Sequence, residues 1–197
     1  LPPRSIGRGL TLPNATQVSR SPSWWGSALL LTANATFFGS LLFGFAFLWT
    51  VAPSWPPPAW LTSSAPELAL GVIGAGLGVV AIRRAARTNR EGQDARPWLG
   101  LTFVAALGVA AAAGVVLRAP TPGDHAYGAT LLVLGSYALF HAVLAALMAA
   151  FLTARVVRGF PSPSRQAEFP VVTLWVDYLA GASTLILVVA HLPGLLT

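Results

Sequence analysis

The chain has 197 residues, of which 55% are hydrophobic and only 9% charged, with a net charge of +6 and a mean hydropathy of +0.68. Water-soluble domains carry roughly a quarter charged residues, so this composition excludes an ordinary globular domain. It also excludes a nucleic-acid face, because all twelve basic residues are arginines and they lie in the connections between apolar runs, the pattern that orients membrane helices.

Residues 1–22 hold Arg4, Arg8 and Arg20 among Pro, Ser, Gly and Thr, and read as an extended polar lead-in. The chain opens on Leu1 without a signal peptide, which leads us to expect a processed chain, a fragment or the tail of a longer polypeptide. From Arg20 to Glu67 no side chain is charged. A charge at mid-membrane costs about 2.5–3.5 kcal/mol even on the lenient insertion scale, so this run predicts a first membrane helix, from residue 22 or 24 to 51. Residues 52–63, with Pro53, Pro56, Pro57 and Pro58, cannot be helical and predict a kinked loop.

Ser64-Ala65-Pro66-Glu67 has the form of a capping box and predicts the start of a second helix, ending near Arg87. Its Gly74 and Gly78 form a G-x-x-x-G pair, and small residues let helices approach closely in lipid. Residues 83–96 read as a charged loop, five arginines against Glu91 and Asp94. A third helix is predicted over 97–117, a loop over 118–124, a fourth helix over 125–157 and a fifth over 170–191, the last stopped by Pro193-Gly194.

The fold class expected is therefore an all-α, five-transmembrane-helix bundle: a polar segment 1–22 followed by a membrane domain 23–197. The arginines count three in the lead-in, then none, five, one and three in successive loops, and none in the tail. By the positive-inside rule this places the N-terminus inside and the C-terminus outside. Six tryptophans (Trp24, Trp25, Trp49, Trp55, Trp60 and Trp98) fall at or near helix ends, where amphipathic rings prefer the interface.

Few residues at membrane depth could carry chemistry. Asp177 stands out, because an acid inside a span is a functional candidate by default, although two turns from a helix end it can also meet water or an arginine. His141 is a candidate ligand, but a bundle metal or haem site needs a second ligand nearby, and a hydrogen-bonded core histidine is the simpler reading. Asn34 fits an interhelical hydrogen bond. Tyr127, Thr130, Ser136, Tyr137, Tyr178, Ser183 and Thr184 are further polar candidates. No cysteine is present, which excludes disulfides and thiolate sites. There is no paired-carboxylate motif, P-loop, dinucleotide fingerprint or nucleophile elbow, so no catalytic or metal-binding residue is expected.

Six short strings in fixed order resemble those of a known family. Ser23-Trp24-Trp25-Gly26 with Thr32-Ala33-Asn34-Ala35 and then Trp55-Pro56-Pro57-Pro58 resembles the opening of the five-helix core of haem-copper oxidase subunit III. His125-Ala126-Tyr127-Gly128 with Gly135-Ser136-Tyr137, and later Trp175-Val176-Asp177-Tyr178, resemble its later helices. The resemblance covers nearly all of the chain after residue 22. It departs where the family's membrane glutamate aligns with Asn34 and its paired histidines with Tyr137 and Phe140.

The resemblance implies a non-catalytic component of a respiratory terminal oxidase in a bacterial cytoplasmic membrane. Such a chain packs on subunit I, beside subunit II, holds phospholipid between its helices and supports proton-coupled electron transfer to oxygen. It binds no cofactor itself, haem and copper belonging to the partner, and in some bacteria it is fused to the end of subunit I. The lipid is expected between helices 1–2 and helices 3–5, lined by Trp25, Asn34, Tyr137, His141 and Asp177. The rival readings are the related accessory protein of nitric oxide reductase, a purely structural assembly subunit, and a small transporter. The transporter would call for an internal repeat that the sequence lacks.

Overall fold

The computed structural model describes residues 4–5, 11–12, 21–55, 65–118, 123, 125–162 and 166–196. Five helices carry the fold: α1 (Pro22–Val51), α2 (Ala65–Arg90), α3 (Arg96–Val116), α4 (Ala126–Val157) and α5 (Glu168–Leu196). Each is long and apolar enough to cross a membrane. Within the lead-in, β1 (Arg4–Ser5) pairs antiparallel with β2 (Thr11–Leu12), Arg4 opposite Leu12. Pro56–Pro58, Ser64 and the loop residues Pro120, Pro122, Asp124, Pro163 and Arg165 lie outside the described residues.

The helix ends follow local chemistry. Ser21 caps α1, its hydroxyl accepting from the Trp24 N–H at 3.2 Å, with Pro22 in the first turn. His125 caps α4, its Nδ1 accepting from the Tyr127 N–H at 3.1 Å. Gly92 and Gly159, with φ of 72° and 73°, close α2 and α4 in the left-handed conformation that a Cβ disfavours. In each case the next residue's N–H returns to a carbonyl of the last turn, Gln93 to Thr88 at 3.0 Å and Phe160 to Arg155 at 3.1 Å.

Two expected boundaries are corrected. The stretch from residue 83 is not a loop: α2 runs on to Arg90, because arginine is a good helix former, Arg87 pairs with Glu91 one turn on, and Gly92 supplies the stop. The fifth helix begins at Glu168 and continues through Pro193-Gly194 to Leu196. A proline removes one helical hydrogen bond without having to end a helix.

α2, α3, α4 and α5 form a closed ring in which each packs on two neighbours. α1 lies outside it, against α5 and α4, and makes no packing contact with α2 among the described residues. Only 17% of the most apolar stretch of α1 is buried in the bundle, against 39% to 44% in the other four helices. The ring is close-packed because it is built on small residues: Ala85, Ala112, Ala142, Ala145 and Ala149 are fully buried. Phe169, Ile82, Leu99 and Leu152 fill one end, and Phe45, Leu134, Ile186 and Leu187 the other.

Asp94 fixes the start of α3, accepting from the Arg96 backbone N–H at 3.0 Å and from its Nε at 2.8 Å. The guanidinium holds the Asp94 carboxyl below the usual aspartate range. A depressed acid contributes above its unfolded pKa and loses that contribution as pH falls through the folded one. A carboxyl-carbon NMR titration of Asp94 is therefore expected to have its midpoint below the ordinary aspartate value. Asp94→Ala should speed amide exchange in the first turn of α3 at neutral pH, and equal exchange in both chains would contradict the role.

Candidate functional site

Two groups of polar side chains are built into the bundle. The first lies deep in the spans, where α1 meets the ring. Tyr137 of α4 donates from its hydroxyl to the backbone carbonyl of Asn34 on α1 at 3.2 Å and is hydrogen-bonded to the hydroxyl of Tyr178 on α5. With Tyr137 donating to α1, the Tyr178 hydroxyl is the donor to Tyr137. The Tyr137 ring stacks on Phe38 of α1, centroids 5.3 Å apart and planes within 10°. One residue thus joins three helices.

His141, one turn further along α4, is 3% exposed. Its Nδ1 donates to the Tyr137 carbonyl at 2.9 Å, and its ring is near those of Tyr137, at 4.2 Å, and Trp175, at 6.4 Å. No three His, Asp or Glu side chains come together as metal ligands among the described residues. Asn34 departs from the interhelical bond expected of it. Its side chain turns back to the Leu30 carbonyl at 3.0 Å, and only its backbone reaches α4. Ser183 and Thr130 behave likewise, bonding to Leu179 and Tyr127 of their own helices.

The second group lies at the end of the bundle where α2 and α4 finish and α3 and α5 begin. Arg83, Arg84, Arg87, Arg90, Arg96, Arg155 and Arg158 gather toward that end, against Glu91, Asp94 and Glu168 there and Asp177 further in, at the level of Tyr178. Arg155 donates to Glu168 at 2.8 Å and lies over the Phe160 ring, tying α4 to α5. Arg90 donates to Gln166 at 3.0 Å, and Asn89 reaches the Ser162 carbonyl at 3.4 Å. Asp177 is nine residues into α5, about 14 Å along its axis. There it meets Arg83 of α2, whose Nη2 bridges both carboxylate oxygens at 3.1 Å. With 62% and 35% of the side chains exposed, this pair lies on the outer surface of the bundle rather than buried in it.

Two open grooves flank the start of α1. One, of about 440 Å³, has walls from Trp24, Arg83, Arg87, Arg90, Leu174 and Asp177. The other, of about 490 Å³, is apolar, with Leu144, Leu147, Met148, Phe151 and Val172 as walls and Glu168 at its edge. Both differ from the division expected between helices 1–2 and helices 3–5. α2 belongs to the ring, because Gly71, Gly74 and Gly78 seat it against α3 and α5, so α1 alone stands apart.

Of the five expected lining residues, the structure brings Asn34, Tyr137 and His141 together in the deep cluster and puts Asp177 in the basic groove. Trp25 is 54% exposed, edge-on to Trp24 at 5.0 Å, and it is Trp24 that faces the groove. The arginines of α2 were missed as groove residues because they read as loop. Their spacing at 83, 87 and 90, which puts all three on one helical face, is the signal that could have found them.

Compared with protein-family models and with curated proteins, the chain matches none.

Proposed function

We propose that this chain is a non-catalytic, subunit III-like component of a respiratory haem-copper terminal oxidase. In this reading it packs on the catalytic subunit in a bacterial cytoplasmic membrane, N-terminus inside, holds phospholipid and supports proton-coupled electron transfer to oxygen. The observation that carries the reading is the ordered set of strings from the Trp24-Trp25-Gly26 lead to Val176-Asp177, which falls on α1, α4 and α5 and the loop after α1 in a chain with five helices of membrane-spanning length. The gathering of seven arginines at one end of the bundle supports the proposed orientation. The outward face of α1, with Leu29, Phe37, Phe43 and Phe47 all more than half exposed, is apolar enough to lie against lipid or another membrane subunit.

An assembly role without part in proton handling is favoured by two observations. Asn34 replaces the family's carboxylate with a side chain satisfied within α1, and Asp177 is neutralised by Arg83. The test is to purify the oxidase from cells with and without this chain. The expected result is an enzyme that keeps its haem without the chain but carries less phospholipid and loses activity progressively during turnover. Identical lipid content and identical durability would reject the proposal. Within the complete complex, Asp177→Asn separates the two roles: slowed proton uptake supports proton handling, and unchanged uptake with normal assembly supports scaffolding.

A further inference from the structure

We infer that the groove between the start of α1, the end of α2 and the start of α5 is a headgroup site for an anionic phospholipid. This deepens the lipid-holding part of the proposed function and is independent of the oxidase part. Arg83, Arg87 and Arg90 lie at i, i+4 and i+7 on α2, one face of that helix, and all three border the groove. Their spacing covers about 10 Å of helix axis, the last of them in the final turn of α2.

Each of the three guanidinium groups has donors to spare. Arg83 engages Asp177 through Nη2, Arg87 engages Glu91 through Nε, and Arg90 engages the neutral Gln166 through Nε. A guanidinium carries five N–H donors in a planar fork that matches the oxygens of a phosphodiester. Among the described residues bordering the groove the only carboxylate is Asp177, and with Glu91 pairing Arg87 from outside it, three arginines stand against two carboxylates, a surplus of positive charge. Charge complementarity therefore selects an anionic headgroup over a zwitterionic one. Beside the arginines, Leu174 and Trp24 supply an apolar wall, the tryptophan in the first turn of α1 where an amphipathic ring suits a membrane interface. The apolar groove on the far side of α1 offers no such cations and is not assigned a headgroup.

The test uses the full chain purified in a mild non-ionic detergent, equilibrated with equal amounts of phosphatidylglycerol and phosphatidylcholine, and read by native mass spectrometry. Phosphatidylglycerol is expected to be retained preferentially. The double variant R87Q/R90Q is expected to reduce that retention roughly 25-fold, on the order of fivefold per arginine. Arg84→Gln, on the same helix but outside the groove, should leave it unchanged. Equal retention of the two lipids, or unchanged retention in R87Q/R90Q, would overturn the assignment. So would displacement by inorganic phosphate, since the acyl chains would then add nothing. Should R87Q/R90Q fail to fold, the salt dependence of retention by the parent chain decides: loss at high salt is expected, and salt-independent retention overturns the site. Selective retention by the purified chain upholds this site whether or not a haem-bearing partner is found, so the failure of the site and the failure of the oxidase reading are read from different measurements.

Discussion

Replacing Gly74 with leucine is expected to lower the stability of the helical ring by about 1–3 kcal/mol, the usual cost of overpacking a close contact. The change should show as a lower midpoint of thermal unfolding in detergent. A Cβ at Gly74 would lie 3.2 Å from the backbone oxygen of Ala105 and 3.4 Å from Val109 Cγ2, both on α3. Backbone has no rotamer to give, so α2 and α3 must separate. In lipid the attraction between helices is largely close packing, which makes the separation costly. Gly76→Leu provides the control, because a Cβ there meets nothing within 4 Å, and it should leave the midpoint unchanged or raise it slightly through helix propensity. Equal effects at the two positions would mean that α2 and α3 do not pack through this face.

Removing the Tyr137 side chain is expected to loosen α1 selectively. α1 buries only Leu31, Phe38 and Phe45, and Tyr137 supplies both the aromatic stack on Phe38 and the hydrogen bond to the Asn34 carbonyl. Truncating a buried aromatic to alanine costs about 3 kcal/mol at the low end. Hydrogen-exchange mass spectrometry of Tyr137→Ala should then show α1 amides exchanging about two orders of magnitude faster, with α3 little changed. Tyr137→Phe keeps the stack and loses the hydroxyl, so about 1 kcal/mol is expected. If α1 kept its protection in both variants, the seam would not be what holds it.

The existence and number of helices long enough to cross a membrane were legible because charge is excluded from lipid: the charge-free runs coincide with α3 and α4 to within a few residues, whereas the first run continues well past α1 and the second stops short of the end of α2. The ends of α2 and α5 were less so. Arginines at positions 83–90 look like a loop when charge is the guide, yet arginine is compatible with helix, and the stop is set by Gly92. Packing order was not legible at all. Hydrophobicity says that a residue faces lipid or protein, but not which helix it meets. The ring formed by α2 through α5 depends on small side chains at particular phases, such as Gly74 opposite Ala105.

The same phase question separates Trp24, which faces the basic groove, from Trp25, which points outward: adjacent residues on a helix stand about 100° apart. Among the polar candidates, identity alone did not reveal that Asn34 and Ser183 would spend their side chains on their own helices while Tyr137 would join three. That outcome depends on side-chain length. A tyrosine hydroxyl reaches across an interhelical gap that a short serine or asparagine closes only by turning back on its own carbonyls.

The proposal that this chain belongs to a terminal oxidase is tested most directly by purifying it in mild detergent from its native membrane and recording the absorption spectrum of the eluate before and after dithionite. The account predicts a reduced a-type or o-type haem band, together with a large catalytic subunit that elutes with this chain. A colourless eluate containing this chain alone, from an extract in which the oxidase itself remains intact and active, would contradict it.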